Sequence, residues 1–194
     1  MPDKRVDKRK LYFIALVPPS PWYEQTFEWK HYCANEYNTK GALKSPPHIT
    51  LYMPFEWMEE KENVLMKSLT EFSAKQKPFE LTFDNFSSFP PRVIFIAFKP
   101  SAALTELQKT LMHFCRTELN LLNTNNRDLP YHPHLTIAFR DLRKADFHRA
   151  WEEFKDRKME GTFLVNNLVL LKHNGAMWES YRVFDFASTA SADE

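Results

Sequence analysis

The 194-residue sequence predicts an α+β protein with a bilobal, duplicated fold, in which two antiparallel-type sheets with flanking helices surround a central cleft. Three observations predict it. Segments with the two-residue alternation of strands interleave with segments whose apolar residues recur at helical spacing. The order of these segments runs through the chain twice. At the same place in each run, an alternating strand carries a histidine and a threonine two residues apart: His48-Ile49-Thr50 and His134-Leu135-Thr136.

The apolar run over 11–17 reads as a buried strand, stopped by Pro18 and Pro19. A helix is expected over 21–38, carrying Trp22, Phe27 and Trp29. Over 47–54, His48, Thr50 and Tyr52 alternate with Ile49, Leu51 and Met53, so His48 and Thr50 share one strand face. Leu65, Leu69 and Phe72 keep helical spacing within 58–75, and Pro78 marks the stop. The stretch 79–86 then alternates as a strand.

Beyond Pro90 and Pro91 the order begins again. A strand over 93–98 is followed by an amphipathic helix defined by Leu104, Leu107, Leu111 and Phe114. A polar loop over 123–130 leads to the second alternating strand, 134–139. Phe147, Trp151 and Phe154 mark a further helix, and 162–172 with 178–186 read as two closing strands joined through Asn174 and Gly175. The expected organisation is one bilobal domain over 1–194, with lobe one at 11–87 and lobe two at 91–186. Residues 1–9 and 187–194 are expected to be loose. The basic cluster Lys4, Arg5, Lys8, Arg9 and Lys10 is diluted by Asp3 and Asp7 and reads as a solvated terminus.

Composition narrows the function classes. The chain is 43% hydrophobic with 17 phenylalanines, enough for a packed core. Lys and Arg total 26 against 25 Asp and Glu, so no global field draws in a long polyanion, and DNA-specific binding is not expected. A small or terminal phosphate remains compatible, because it needs only a few convergent groups. Cys33 and Cys115 lack C-x-x-C spacing, which points away from a disulfide framework or a cysteine zinc site and towards a reducing compartment. No apolar run approaches the roughly 18 residues of a membrane span. The first ten residues are charged, so the expectations are no membrane partner and a cytoplasmic location. No heptad run argues for assembly, which makes monomer the default. Three glycines and no G-x-S-x-G leave no phosphate-cradling loop and no nucleophile elbow.

Each H-x-T unit places an imidazole and a hydroxyl side by side while Ile49 or Leu135 faces the core. If the two units face each other across a cleft, two imidazoles and two hydroxyls surround one anion. In-line displacement at a phosphodiester needs a base for the attacking oxygen and an acid for the leaving oxygen. With an ordinary pKa of about 6.5, histidine fits both roles near neutral pH. Threonine hydroxyls can donate to the non-bridging oxygens. This chemistry requires neither metal nor cofactor.

The segments Pro47-His48-Ile49-Thr50-Leu51 and Pro130-Tyr131-His132-Pro133-His134-Leu135-Thr136-Ile137-Ala138 resemble the two signature segments of the 2H phosphoesterase superfamily, especially its 2'-5' RNA ligase-like and cyclic phosphodiesterase branch. The resemblance spans about 11–186. It implies a bilobal α+β fold and a metal-independent phosphoric diester hydrolase. The implied substrates are 2',3'-cyclic phosphates or 2'-5' linkages of RNA ends or small nucleotides, with ligation as a possible reverse reaction. It further implies His48 and His134 as acid and base, with Thr50 and Thr136 binding phosphate. Many members carry an arginine where this chain has Phe139; Arg140 follows, and on a continuing strand it would point to the opposite face.

Other candidates are weaker. His132 and His134 form an H-x-H pair that could chelate a metal with His48, against which stand Pro133 and the lack of a nearby carboxylate; His132 is expected at the cleft rim. Tyr131 is expected to bind substrate by stacking, Tyr52 fits a strand position equally well, and Arg127 reads as a solvated loop residue. The rival from another class is a nucleotide-binding module that keeps the anion pocket without turnover.

Overall fold

The computed structural model describes residues 9–122 and 130–188. Eight strands form one antiparallel sheet: β1 (Arg9–Leu16), β2 (Ile49–Met58), β3 (Phe79–Phe89), β4 (Val93–Phe98), β5 (His134–Ala138), β6 (Thr162–Val165), β7 (Asn167–His173) and β8 (Trp178–Asp185). Four helices accompany them: α1 (Trp22–Tyr37), α2 (Glu62–Ser73), α3 (Ala102–Thr117) and α4 (Lys144–Phe154). A short 3-10 helix, Gly41–Lys44, links α1 to β2. The α+β class expected from the sequence is present, and so is the expected element order apart from one strand that is split in two.

The strand order is β6-β3-β4-β5-β2-β1-β7-β8, which corrects the expectation of two sheets. The motif strands β2 and β5 are joined by the pair Ile49 and Leu135. The third strand of the first half, β3, pairs with β4 and β6 of the second half, and β7 pairs with β1. Each sequence half therefore places a strand in the other's territory. This uses backbone N–H and C=O groups that two separate sheets would have left along open edges.

A second correction explains the shape. The segment read as one strand over 162–172 is two strands separated by Asn166 alone. They lie near opposite ends of the sheet order, β6 on β3 and β7 on β1. A single residue can connect those positions only if the sheet curls until its ends approach. The Phe186 N–H donates to the Asn166 carbonyl at 2.8 Å, tying the end of β8 to the same corner.

The main core lies between one face of the sheet and the helices. Tyr12, Ile14 and Leu16 of β1, Ile49 and Leu51 of β2, and Leu135 and Ile137 of β5 meet Leu65, Leu69, Leu107, Leu111, Phe147 and Phe154 there. Within each helix those residues are four or seven positions apart, the spacing of one helix face. Ser101 caps α3 by accepting from the Leu104 N–H at 3.2 Å. On the other face, Phe13 and Ala15 of β1 pack with Val169 and Leu171 of β7 in a smaller cluster. Pro54 sits where the β1–β2 register shifts, a position that makes no demand for a ladder N–H. Asn174 shapes the β7–β8 hairpin as expected: its side-chain oxygen accepts from Ala176 N–H at 2.9 Å and Met177 N–H at 2.8 Å. Among the described residues no helix is long and apolar enough to cross a membrane.

Candidate active site

His48 immediately precedes β2 and Thr50 lies on it, while His134 and Thr136 lie on β5. Ile49 and Leu135 are 0% exposed and face the main core, so alternation turns all four polar residues to the opposite face. In the antiparallel register set by Ile49 and Leu135, His48 falls beside Thr136 and Thr50 beside His134. All four line one cleft of about 660 Å³, within the volume range of small-molecule sites.

The two imidazoles are held by the same device. His48 Nδ1 lies 2.7 Å from the Pro46 carbonyl oxygen, and His134 Nδ1 lies 2.8 Å from the His132 carbonyl oxygen. A carbonyl only accepts, so Nδ1 carries the hydrogen in both rings. Nε2 is then the atom of each ring that can take up or release a proton.

The surroundings separate the pair. Burial lowers the His48 pKa to about 4, with the Lys30 ammonium adding to the effect against the Pro46 hydrogen bond. His134 is also lowered by burial, opposed by its bond to the His132 carbonyl and aided by the nearby His132 ring. Lys30 reaches the cleft from α1 and is 2% exposed. Its Nζ donates to the Ala42 carbonyl at 3.1 Å and the Ser45 carbonyl at 3.0 Å. Burial brings its own pKa down to about 7.

Aromatic rings back both histidines. The Phe13 ring on β1 lies 4.8 Å from that of His48, and Trp178 packs edge-on against Phe13 at 4.7 Å. Phe95 on β4 lies 5.2 Å from His134, with Phe89 beside both. These strands flank β2 and β5 on either side, so each imidazole rests on a phenylalanine from its outer neighbour.

The strand alternation that set Arg140 opposite Phe139 does not apply. β5 ends at Ala138, and Arg140 adopts a left-handed φ of 69°, so both residues line the cleft. The turn is locked by Asp141. Its carboxylate accepts from the Lys40 N–H at 2.8 Å, the Gly41 N–H at 3.0 Å and the Thr39 hydroxyl at 2.7 Å. These bonds hold its pKa down against the opposing effect of burial. Gly41 is required there, because a Cβ would come within 2.6 Å of the Phe139 carbonyl oxygen and 2.9 Å of Asp141 Oδ1.

Of the residues singled out from sequence, His48, Thr50, His134 and Thr136 come together. Tyr131 does not join them: it is half-buried against the core and its hydroxyl donates to the Thr50 carbonyl at 3.1 Å, bracing one motif strand with the approach to the other. Tyr52 is buried and bonds the Leu121 carbonyl. His132 is exposed beside Phe89, its ring centroid 6.4 Å from that of His134. No group of three or more potential metal ligands is found among the described residues. Arg127 lies outside them. Sequence reasoning missed Lys30, Phe13 and Phe95. A lysine on the apolar side of a predicted helix was the available signal for the first. For the other two, an unbroken apolar run does not tell one strand face from the other.

The antiparallel sheet thus carries two histidine-threonine pairs on its central strands. The chain matches the family described as the 2'-5' RNA ligase superfamily over residues 17–176, and it belongs to that family. Membership supports phosphodiesterase-type activity. A provisionally named phosphoesterase of Geobacillus kaustophilus is 29% identical over 177 residues, covering 89% of this chain and 94% of its own length. One from Oceanobacillus iheyensis is 30% identical over 179 residues, covering 89% and 96%. The fold is similar to that of apo LigT from E. coli, with a TM-score of 0.65 at 20% identity over 92% of this chain and 98% of that one.

Proposed function

We propose that this protein is a metal-independent phosphodiesterase that opens a 2',3'-cyclic phosphate or a 2'-5' phosphodiester of an RNA end or small nucleotide, with ligation as the same displacement at a cyclic phosphate carried out by a ribose hydroxyl in place of water. The observation that carries this reading is the matched tautomer of His48 and His134, each anchored through Nδ1 in one cleft with the other nitrogen left for proton transfer. E. coli LigT has been crystallised with 3'-AMP, with ATP and with phosphate, which supports a small nucleotide as the ligand.

In this reading His48 is the base. Burial and the Lys30 charge keep Nε2 unprotonated, ready to take the proton of an attacking water. The water oxygen bonds to phosphorus, the bond from phosphorus to a ribose oxygen breaks, and the His134 Nε2–H protonates that oxygen. A bound phosphate anion raises the imidazole pKa and favours the protonated ring that His134 needs. Thr50 and Thr136 donate to the non-bridging oxygens, which gain charge in the transition state. The two imidazoles and two hydroxyls supply each proton and hydrogen bond of this sequence.

The test is steady-state hydrolysis of adenosine 2',3'-cyclic phosphate by the chelator-treated protein. Turnover that disappears in His48→Ala and His134→Ala, with circular dichroism unchanged, supports the proposal. Mononucleotide binding without turnover across cyclic and 2'-5' substrates overturns it in favour of a binding module.

A further inference from the structure

The cleft holds more positive charge than one diester uses. Three cationic side chains line it, Lys30, Lys44 and Arg140, with no carboxylate among the lining residues. A phosphodiester carries a single negative charge. Lys30 is buried and bonded to two carbonyls. Lys44 and Arg140 are exposed on the rim, and neither has a hydrogen bond or ion pair among the described residues. The only interaction of the Arg140 guanidinium there is with its neighbour's ring, 5.4 Å above the centre of Phe139.

The pairing of these two cations is built by the fold. Arg140 precedes the residue that clamps the amides of Lys40 and Gly41, and Lys44 ends the 3-10 helix that Gly41 begins. The two segments are about 100 residues apart in sequence, yet a Cβ on Gly41 would lie 3.3 Å from the Arg140 Cβ. The left-handed turn at Arg140 brings its side chain to the cleft. Asp141, the carboxylate beside it in sequence, is occupied by two backbone amides and a hydroxyl. Two cations on one cleft, with no carboxylate among its lining residues, create a local potential that an anion satisfies. Guanidinium supplies a planar fork for phosphate and ammonium a point charge.

We propose that Lys44 and Arg140 form a second anion subsite, which takes a further phosphate group of the substrate. The protein then selects a nucleotide diester that carries an additional phosphate over a mononucleoside cyclic phosphate. This rests on the phosphodiesterase reading for the position of the first phosphate, and its test is separable from that reading.

Binding is measured by calorimetry with adenosine 3'-monophosphate and adenosine 3',5'-bisphosphate at one fixed salt concentration. The wild type is expected to bind the bisphosphate roughly tenfold or more tightly, the size of one charge-assisted contact. In Lys44→Ala/Arg140→Ala that preference disappears, while affinity for the monophosphate stays within about twofold. Kinetics repeat the comparison with adenosine 2',3'-cyclic phosphate, its 5'-phosphorylated form and a dinucleotide ending in a 2',3'-cyclic phosphate. The preference should appear in KM and not in kcat. A larger gain for the dinucleotide assigns the added phosphate to an RNA chain, and a larger gain for the 5'-phosphorylated mononucleotide assigns it to a terminal monoester. Equal binding of the two adenosine phosphates by the wild type overturns the subsite, as does a preference that survives in the double variant. Failure of every diester to turn over overturns the phosphodiesterase reading alone, because the calorimetry still decides the subsite.

Discussion

The two motif strands carry the same pair of side chains, anchor the histidine by the same bond and lay it on the same kind of ring, yet they differ in what stands behind them. Behind His48 are α1 and the 3-10 helix, with a buried lysine between them. Behind His134 are β4, Phe95 and the exposed His132. A near-symmetric pair of imidazoles thereby becomes two groups of unequal proton affinity, which is what a base and an acid acting in one step require. The two H-x-T units supply the pair, and local environment sets its members apart.

The strongest way to break this comparison is to remove each histidine in turn. Either alanine substitution should lower hydrolysis of a cyclic nucleotide by about 100- to 10,000-fold. The two should part on a p-nitrophenyl nucleotide diester, whose leaving group needs no acid. His134→Ala is expected to recover most of its activity on that substrate and His48→Ala to stay inactive; the opposite pattern would reverse the assignment.

Next come the hydroxyls. Thr50→Val and Thr136→Val should each cost roughly 10- to 100-fold in kcat/KM, the range for a hydrogen bond to a charged oxygen. Each threonine neighbours the other strand's histidine, so similar losses would mean that the phosphate sits centrally between the strands. A loss confined to one variant would place it off-centre.

The pH dependence probes the asymmetry itself. A base acts when deprotonated, so kcat/KM falls as pH drops through the His48 pKa, which is about 4. An acid acts when protonated, so activity also falls as pH rises through the His134 pKa, which lies below the ordinary 6.5. The free-enzyme optimum is therefore expected on the acid side of neutrality. Lys30, with its pKa of about 7, is charged throughout the titration of His48. Lys30→Met should move the acid limb part of the way towards 6.5, since burial, the larger cause, remains. An unmoved limb in a folded variant would show that the lysine charge is not felt at His48.

The smallest effect concerns the clamp that exists on one side only. Gly41→Ala drives a methyl group against the Phe139 carbonyl and Asp141, and should destabilise the fold by about 1–3 kcal/mol in chemical denaturation. A neutral result would mean that the 3-10 helix shifts freely against the β5 exit.

Much of this site was legible in the sequence because it is local. Residues two apart on a strand share a face whatever the strand pairs with, so His48 with Thr50 and His134 with Thr136 followed from alternation alone. Helix spacing likewise exposed Leu65, Leu69 and Phe72, or Leu104, Leu107 and Leu111, as inward-facing sets. Tyr131 was misread because a tyrosine beside a motif has the same sequence signature whether it faces a ligand or a neighbouring carbonyl. Arg140 was misread because alternation was carried two residues past the end of β5, where a left-handed turn replaces it.

The sequence by itself determined the element order, the α+β class and the two H-x-T units, since these depend on periodicities within a few residues. Tertiary structure alone decided that the halves share one curled sheet, that Asn166 divides a strand between its two ends, and that Lys30 stands behind one histidine only. Those outcomes depend on which backbone edges find each other and which distant side chains are buried together, and no short window of residues encodes a partner about 100 positions away.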